Sequence, residues 1–200
     1  HTNNKVRVST EKVNAVSEEL DILVAFDQES IDVNYHELSE GGVIIADAKF
    51  KPENPADSKA DLHAVPFTEI AKEHGTALMK NMVAIGATCA VLRMEVEVFT
   101  SIIQEIFGRK GEDMVEKNMQ AMQAGFHYMK DSLGNEEESL SLAAADGEKR
   151  MYMIGNDAIA LGALAAGVRM MPAYPITPAS DIMEYLIKKL PDVGGTVIQT

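Results

Sequence analysis

Asp21-Ile22-Leu23-Val24-Ala25-Phe26-Asp27 is an unbroken apolar run closed at each end by an acid. That is the pattern of a strand buried on both faces. Val43-Ile44-Ile45-Ala46-Asp47 repeats it after Gly41-Gly42, and Leu62-His63-Ala64-Val65-Pro66 is a shorter third copy. Between the first two, Glu29 to Leu38 has helical character. Strand, short helix, strand at this spacing predicts a parallel sheet with right-handed crossovers, and so an α/β fold. Upstream, Lys5-Val6-Arg7-Val8-Ser9 alternates with period two and predicts a further strand with one wet face.

Downstream of Thr68 the period changes. Ile70, Ala71 and His74, then Ala77, Leu78, Met82, Ile85 and Cys89, recur at helical spacing. Glu97 to Phe107 predicts a second helix carrying Ile102, Ile103, Ile106 and Phe107 on one side, with Gly108 as its stop. A third runs from Glu112 to about Lys130, with Val115, Met119, Met122, Phe126 and Met129 in one stripe. Methionine at such positions fills a core far more often than it forms a ligand surface.

Residues 131–150 lose this patterning. Gly134, Asn135, the acidic run Glu136 to Glu138, Ser139 to Ala145, Asp146 and Gly147 read as a linker, with Leu140 and Leu142 able to dock weakly. Beyond it, Met151-Tyr152-Met153-Ile154-Gly155 predicts a short strand, and Asn156 or Asp157 a cap for the helix Ala158 to Val168. Small residues at Gly162, Ala163, Ala166 and Gly167 predict close approach of another backbone. Tyr174-Pro175-Ile176-Thr177-Pro178 then breaks the chain, with Thr177 the expected cap and Pro178 the first residue of an amphipathic helix reaching Leu190. A strand follows from Gly194 to Thr200. About fifty residues do not close a doubly wound domain, so the expectation is a second domain cut short.

The 200 residues carry 31 acidic and 18 basic side chains, a formal charge of −13, which argues against a nucleic-acid partner. Apolar residues at 46% and charged ones at 24% match an ordinary globular composition and exclude a mainly disordered chain. The single cysteine, Cys89, excludes a disulfide framework or an iron–sulfur cluster held by this chain alone. No apolar run reaches the roughly 18 residues of a membrane span, and His1 to Ser9 contains no signal-peptide core. The expectation is a cytoplasmic protein with no membrane partner. Because the chain opens without Met, in strand-like sequence, it also reads as a piece of something longer.

Most candidate sites have a plain explanation. His1, His36, His63, His74 and His127 show no metal spacing, so no metal site is expected from this chain. Glu95 and Glu97 diverge at a helix start, and Cys89 lies in an apolar stretch that suits a buried, inert thiol. Gly41-Gly42 precedes a strand, which makes it a turn rather than a phosphate loop. The segment Tyr174 to Ser180 differs. Two prolines fix the Thr177 hydroxyl at a strand-to-helix corner, where ligands of open α/β sheets sit and where a helix N-terminus can face an anion. The residues alone leave two readings open: a ligand corner, or prolines that merely shape a loop while Thr177 caps.

Tyr174-Pro175-Ile176-Thr177-Pro178-Ala179-Ser180 resembles the Y-P-I-T-P-[SA]-S signature of the 2-oxoacid:ferredoxin oxidoreductases, where it opens the pyrimidine domain of the alpha subunit. Gly155-Asn156-Asp157-Ala158-Ile159-Ala160-Leu161-Gly162 is similar to that family's G-N-x-A-x-A-x-G helix start. Residues 1–130 resemble its gamma domain through the stretches from Asp21 to Glu29, from Gly41 to Asp47 and from Asn81 to Ala87. The resemblance implies a doubly wound gamma-type domain (1–130), a linker (131–150), and the truncated start of a thiamine-diphosphate pyrimidine-type α/β domain (151–200). The fused arrangement is that of the two-subunit enzymes.

What the family implies is decarboxylation of a 2-oxoacid on thiamine diphosphate with Mg²⁺, the cofactor being shared with a beta subunit. Electrons pass to a [4Fe-4S] cluster in that partner and on to ferredoxin or flavodoxin, while coenzyme A takes the acyl group. Thr177 is the implied catalytic residue, hydrogen-bonding the substrate carboxylate or the cofactor-bound intermediate near the thiazolium. Tyr174, Pro175, Ile176, Pro178 and Ser180 are implied to line or support the cofactor and substrate site. The glycine-rich segment expected ahead of the gamma strands and the cofactor-activating glutamate are not within these 200 residues, so the chain alone is expected to be inactive. The fused form favours 2-oxoglutarate, then pyruvate. The competing readings are a non-catalytic doubly wound assembly or binding module and, more distantly, a nicotinamide-dependent dehydrogenase.

Overall fold

The computed structural model describes all residues except 1, 2, 12, 14, 135–139, 144, 145 and 149. The chain divides into two compact units, residues 1–145 and 146–200.

In the first unit, strands β1 (Leu20–Ala25), β2 (Leu38–Asp47) and β3 (Asp61–Val65) form a parallel sheet in the order β1-β2-β3. The three apolar runs are these strands, and their alternation sorts the side chains to two cores. Ile22, Val24, Val43, Ile45 and Val65 face one way, against Phe67, Val83, Ala87, Ala121 and Met129 of helices α2 (Phe67–His74), α3 (Lys80–Leu92) and α5 (Glu112–Leu133). Leu23, Ala25, Ile44 and Ala46 face the other, against Ile31 of helix α1 (Gln28–Asn34) and Phe50. A sheet with helices on both faces must be apolar on both, which is why the strands read as continuous runs.

Helices α3 and α5 touch backbone to backbone. A Cβ on Gly86 would stand 1.9 Å from the Met122 carbonyl oxygen, and one on Gly125 would stand 2.2 Å from that of Val83. Glycine at both positions is what lets the helices close. Beside this seam, Cys89, Val96, Ile103, Val115 and Met122 form another apolar cluster, with Ile103 supplied by helix α4 (Thr100–Phe107).

Several expectations need correction here. Lys5 to Ser9 forms no strand: Val6 is 85% exposed, and a period-two alternation without a sheet partner has nothing to pair with. Gly41-Gly42 is not a turn but lies inside β2, where the register shifts from Leu20↔Leu38 to Ile22↔Val43. The positive φ of Gly41, +79°, accommodates that bulge. Leu78 leaves the expected helical stripe and is exposed, because Gly75 ends α2 and a separate short turn carries residues 77–79. On α4 only Ile103 is buried, while Ile102 and Ile106 face solvent. Gly108 continues as a tight 3₁₀ turn, and Gly111, with φ +104°, makes the break instead.

Within the stretch read as a linker, Leu140 packs on the first unit's core and the Leu142 N–H donates to the Leu92 carbonyl. The acidic run Glu136 to Glu138, Asn135 and His1 lie outside the described residues.

The second unit contains helix α6 (Gly155–Ala165), strand β4 (Met170–Ala173), helix α7 (Ala179–Lys189) and strand β5 (Thr196–Gln199). β4 and β5 pair in parallel from Met170↔Thr196 to Ala173↔Gln199. Ala160, Leu186 and Leu190 form the buried centre, with Leu164, Met171, Tyr185 and Val197 packed around it. Gly195 allows the return into β5, since a Cβ there would meet the Arg169 carbonyl oxygen at 2.5 Å. Met151 to Ile154 forms no strand, and Met151 and Tyr152 are exposed. Neither Asn156 nor Asp157 caps α6, whose cap position is Ile154. Nothing lies within 4 Å of a Cβ built on Gly162 or Gly167, so no described backbone approaches those positions.

Candidate functional site

The carboxyl end of β4 leads directly into Tyr174-Pro175-Ile176-Thr177-Pro178 and then into α7. In a parallel α/β arrangement this is the edge at which loops gather around a ligand. Every residue from Tyr174 to Pro178 is exposed, and Ser180 is half-buried in the first turn of α7. The corner closes on itself through the Ser180 N–H, which donates to the Ile176 carbonyl at 3.0 Å, and the Asp181 N–H, which donates to the Pro178 carbonyl at 3.3 Å. The Thr177–Pro178 peptide is cis.

Thr177 does not cap the helix. The cap position falls one residue later, on Pro178, and no side chain bonds the free amides there. Among the described residues the Thr177 hydroxyl therefore has no hydrogen-bond partner. This exposed hydroxyl, between Pro175 and Pro178, is open to solvent or to a ligand. Tyr174, at 68% exposure, and Ile176, at 60%, flank it with apolar surface.

The sequence gives no local signal of the group that ties this corner down. Asn156, the second residue of α6, reaches across 25 positions to place its Nδ2 3.0 Å from Asp181 Oδ2 and 3.5 Å from the Pro178 carbonyl oxygen. The G-N-x-A stretch and the Y-P-I-T-P stretch thus meet at the N-termini of two helices. Tyr174, Pro175, Ile176, Thr177, Pro178 and Ser180 lie together by chain continuity, and Asn156 and Asp181 join them.

The first unit's carboxylates at its own strand ends are already used. Asp27 caps α1, accepting from the Ser30 N–H at 2.8 Å and from the Ser30 hydroxyl at 2.6 Å. The hydroxyl bond, then the amide bond, with the Lys80 charge a smaller influence, hold the Asp27 carboxyl below its ordinary range. Asp47, almost fully buried, accepts from the Thr68 hydroxyl at 2.8 Å and from the Lys49 N–H at 3.2 Å. Cys89 is 2% exposed, and burial pushes its thiol up to about 11, which suits an inert core residue. Among the described residues no three His, Cys, Asp or Glu side chains converge on a metal-sized space.

Parallel sheets, with helices on both faces of the larger one, define an α/β protein, and its exposed strand-to-helix corner is the candidate site. Residues 1–128 match the pyruvate ferredoxin/flavodoxin oxidoreductase family, and the chain belongs to it. The 2-oxoglutarate oxidoreductase subunit KorA of Mycobacterium tuberculosis is 30% identical over 198 residues, covering 84% of this chain and 30% of that protein. The ketoisovalerate oxidoreductase subunit VorA of Methanothermobacter marburgensis is 33% identical over 122 residues, covering 58% of this chain and 24% of its own length. Among solved structures, the 2-oxoglutarate:ferredoxin oxidoreductase from Magnetococcus marinus, with 2-oxoglutarate, coenzyme A and succinyl-CoA bound, superposes with a TM-score of 0.84 at 27% identity. It covers 96% of this chain and 34% of that one. The chain thus spans about a third or less of the proteins it matches.

Proposed function

We propose that this chain is part of the alpha subunit of a coenzyme-A-dependent 2-oxoacid:ferredoxin oxidoreductase. The reaction takes a 2-oxoacid and coenzyme A to acyl-CoA and CO₂, and the electron pair released reduces two equivalents of ferredoxin or flavodoxin. The observation that carries the reading is the Thr177 hydroxyl: exposed, unpartnered among the described residues, and set at the carboxyl end of a parallel strand.

The residues present fit one wall of a thiamine-diphosphate site. They offer a hydroxyl donor at Thr177, a second at Ser180, and apolar surface at Tyr174 and Ile176. In this reading the Mg²⁺-binding end of the cofactor is supplied by the beta subunit. When bound, thiamine diphosphate supplies the nucleophilic carbon and the electron sink for decarboxylation. Thr177 donates to the substrate carboxylate and orients the 2-oxoacid before chemistry begins, a preorganised donor in the sense that lowers a barrier. Pro175 and Pro178 limit its backbone freedom. Tyr174 and Ile176 exclude water once the beta subunit covers them, which strengthens that hydrogen bond.

2-Oxoglutarate is the favoured substrate and pyruvate the next. The support is the substrate named for KorA and for the Magnetococcus enzyme, while the ketoisovalerate relative marks how far the side chain varies in the family. A net charge of −13 opposes an acidic ferredoxin, so the carrier docks on the beta subunit near its [4Fe-4S] cluster. The compartment proposed for the reaction is the cytoplasm.

The test is reduction of ferredoxin or a viologen by the complete complex with thiamine diphosphate and coenzyme A, comparing 2-oxoglutarate with pyruvate. Coenzyme-A-dependent reduction is expected with one of them. Thr177→Val then lowers kcat by roughly 10²-fold or more with subunit assembly intact. An intact, cluster-loaded complex that reduces nothing, or a Thr177→Val variant with full turnover, favours the assembly-module reading instead.

A further inference from the structure

We propose that Asn156 is the positioning residue of the Thr177 corner: through Asp181 and the Pro178 carbonyl it clamps the start of α7, so that the Thr177 hydroxyl is held ready for a substrate carboxylate. The proposal rests on the reading in which Thr177 touches that carboxylate.

The start of α7 needs such a clamp. Its cap position is a proline whose side chain accepts nothing, and the neighbouring threonine does not bond back to the helix. The prolines stiffen the corner internally but anchor it to nothing outside itself. Asn156 stands at the start of a different helix and points its amide nitrogen at two acceptors, Asp181 Oδ2 at 3.0 Å and the Pro178 carbonyl at 3.5 Å. One amide nitrogen carries two hydrogens, so both acceptors can be served together. Since both partners only accept, the nitrogen rather than Oδ1 must face them. The bond to a carboxylate is the stronger of the two kinds, and Asp181 sits in the first turn of α7, where the helix dipole favours its charge. The two contacts fall on either side of the backbone turn that follows Thr177, so they fix where its hydroxyl stands.

An aspartate at 156 cannot replace this amide, because it would set a carboxylate against the Asp181 carboxylate and leave the Pro178 carbonyl with only the Asp181 N–H as donor. Exchanging the two groups would restore the main bond with its polarity reversed, an amide at 181 donating to a carboxylate at 156.

The experiment uses the protein carrying this chain, assembled with its partner subunit, in wild-type form and as N156A, N156D and N156D/D181N. Two quantities are read: steady-state kinetics with the 2-oxoacid, and hydrogen exchange at the Ser180 and Asp181 amides. N156A is expected to lower kcat/KM roughly 10- to 100-fold, in line with a misplaced catalytic group, and to speed exchange at those two amides about tenfold, leaving the Thr196 and Thr200 amides between β4 and β5 unchanged. N156D is expected to be at least as impaired, and N156D/D181N to recover most of both losses, a non-additivity that independent sites do not show. A double variant no better than N156D, or an N156A variant with wild-type exchange and kinetics, overturns the clamp while Thr177→Val still reports on the function. Faster exchange together with an innocuous Thr177→Val overturns the catalytic purpose of the clamp and the functional reading beneath it.

Discussion

The seam between α3 and α5 and the corner between β4 and α7 are opposite uses of a backbone. At the seam, two helices lie so close that neither Gly86 nor Gly125 has room for a methyl group. At the corner, five consecutive residues from Tyr174 to Pro178 are exposed, and a hydroxyl between two prolines bonds to nothing among the described residues. The first unit also spends its strand-end carboxylates on structure, Asp27 on a helix cap and Asp47 on Thr68. The second unit spends Asn156 and Asp181 on holding the corner still while leaving Thr177 uncommitted. A region whose polar groups are all matched internally reads as scaffold. One that leaves a hydroxyl exposed and unmatched is where we propose half of a site.

The comparison breaks most readily at the seam. Gly86→Ala or Gly125→Ala places a Cβ 1.9 or 2.2 Å from a backbone carbonyl oxygen, which no rotamer change relieves because the obstacle is main chain. Each substitution is expected to cost roughly 3 kcal/mol or more, at the upper end of overpacking effects, read as a lowered denaturation midpoint. A loss below about 1 kcal/mol would mean the helices slide apart easily, and the contrast with the corner would fail.

A smaller effect of opposite sign sharpens the same contrast. Gly162 lies in α6 with nothing within 4 Å of an added Cβ. Gly162→Ala is expected to stabilise by about 0.5–1 kcal/mol, since alanine is the better helix former and loses less backbone freedom. Measured by denaturation in the protein assembled with its partner, a destabilisation would show that another backbone packs on this face. That is the close approach its small residues suggest.

The seam and the corner differ as well in how legible they were. Ile22 to Phe26, Val43 to Ala46 and Leu62 to Val65 announced the buried sheet because burial on both faces demands unbroken apolar runs. Val6 and Val8 misled because alternation is equally compatible with an exposed extended segment. Met170 to Ala173 is implied by the strand-to-helix corner but has no bounds legible in sequence, being four residues long with Pro172 inside it and, among the described residues, paired with one other strand. The Thr177 corner was visible from its prolines, but its cap was misplaced by one residue because Pro178, not Thr177, takes the non-helical position. Local sequence makes Asn156 or Asp157 the expected cap of α6, whereas the Asn156 amide bonds Asp181, 25 residues away, a distance that no helix or turn periodicity encodes.

The finest test concerns Cys89, in the cluster beside the seam. Its thiol is pushed from an ordinary 9.0 up to about 11 by desolvation alone. In the folded chain it therefore keeps its proton where the unfolded chain would release it. A thiol reagent at about pH 8 should leave Cys89 unmodified until the protein is unfolded, since the reactive species is the thiolate and the sulfur is buried. The sign of the linkage follows: the folded state binds this proton more tightly, so the associated stability is complete below about 9 and is lost as pH rises toward 11. The stability difference between wild type and Cys89→Ala should narrow over that window and hold constant below it. Rapid labelling of the native protein at neutral pH would place a reactive thiol beside the seam, and the first unit would then have an uncommitted group of its own to set against Thr177.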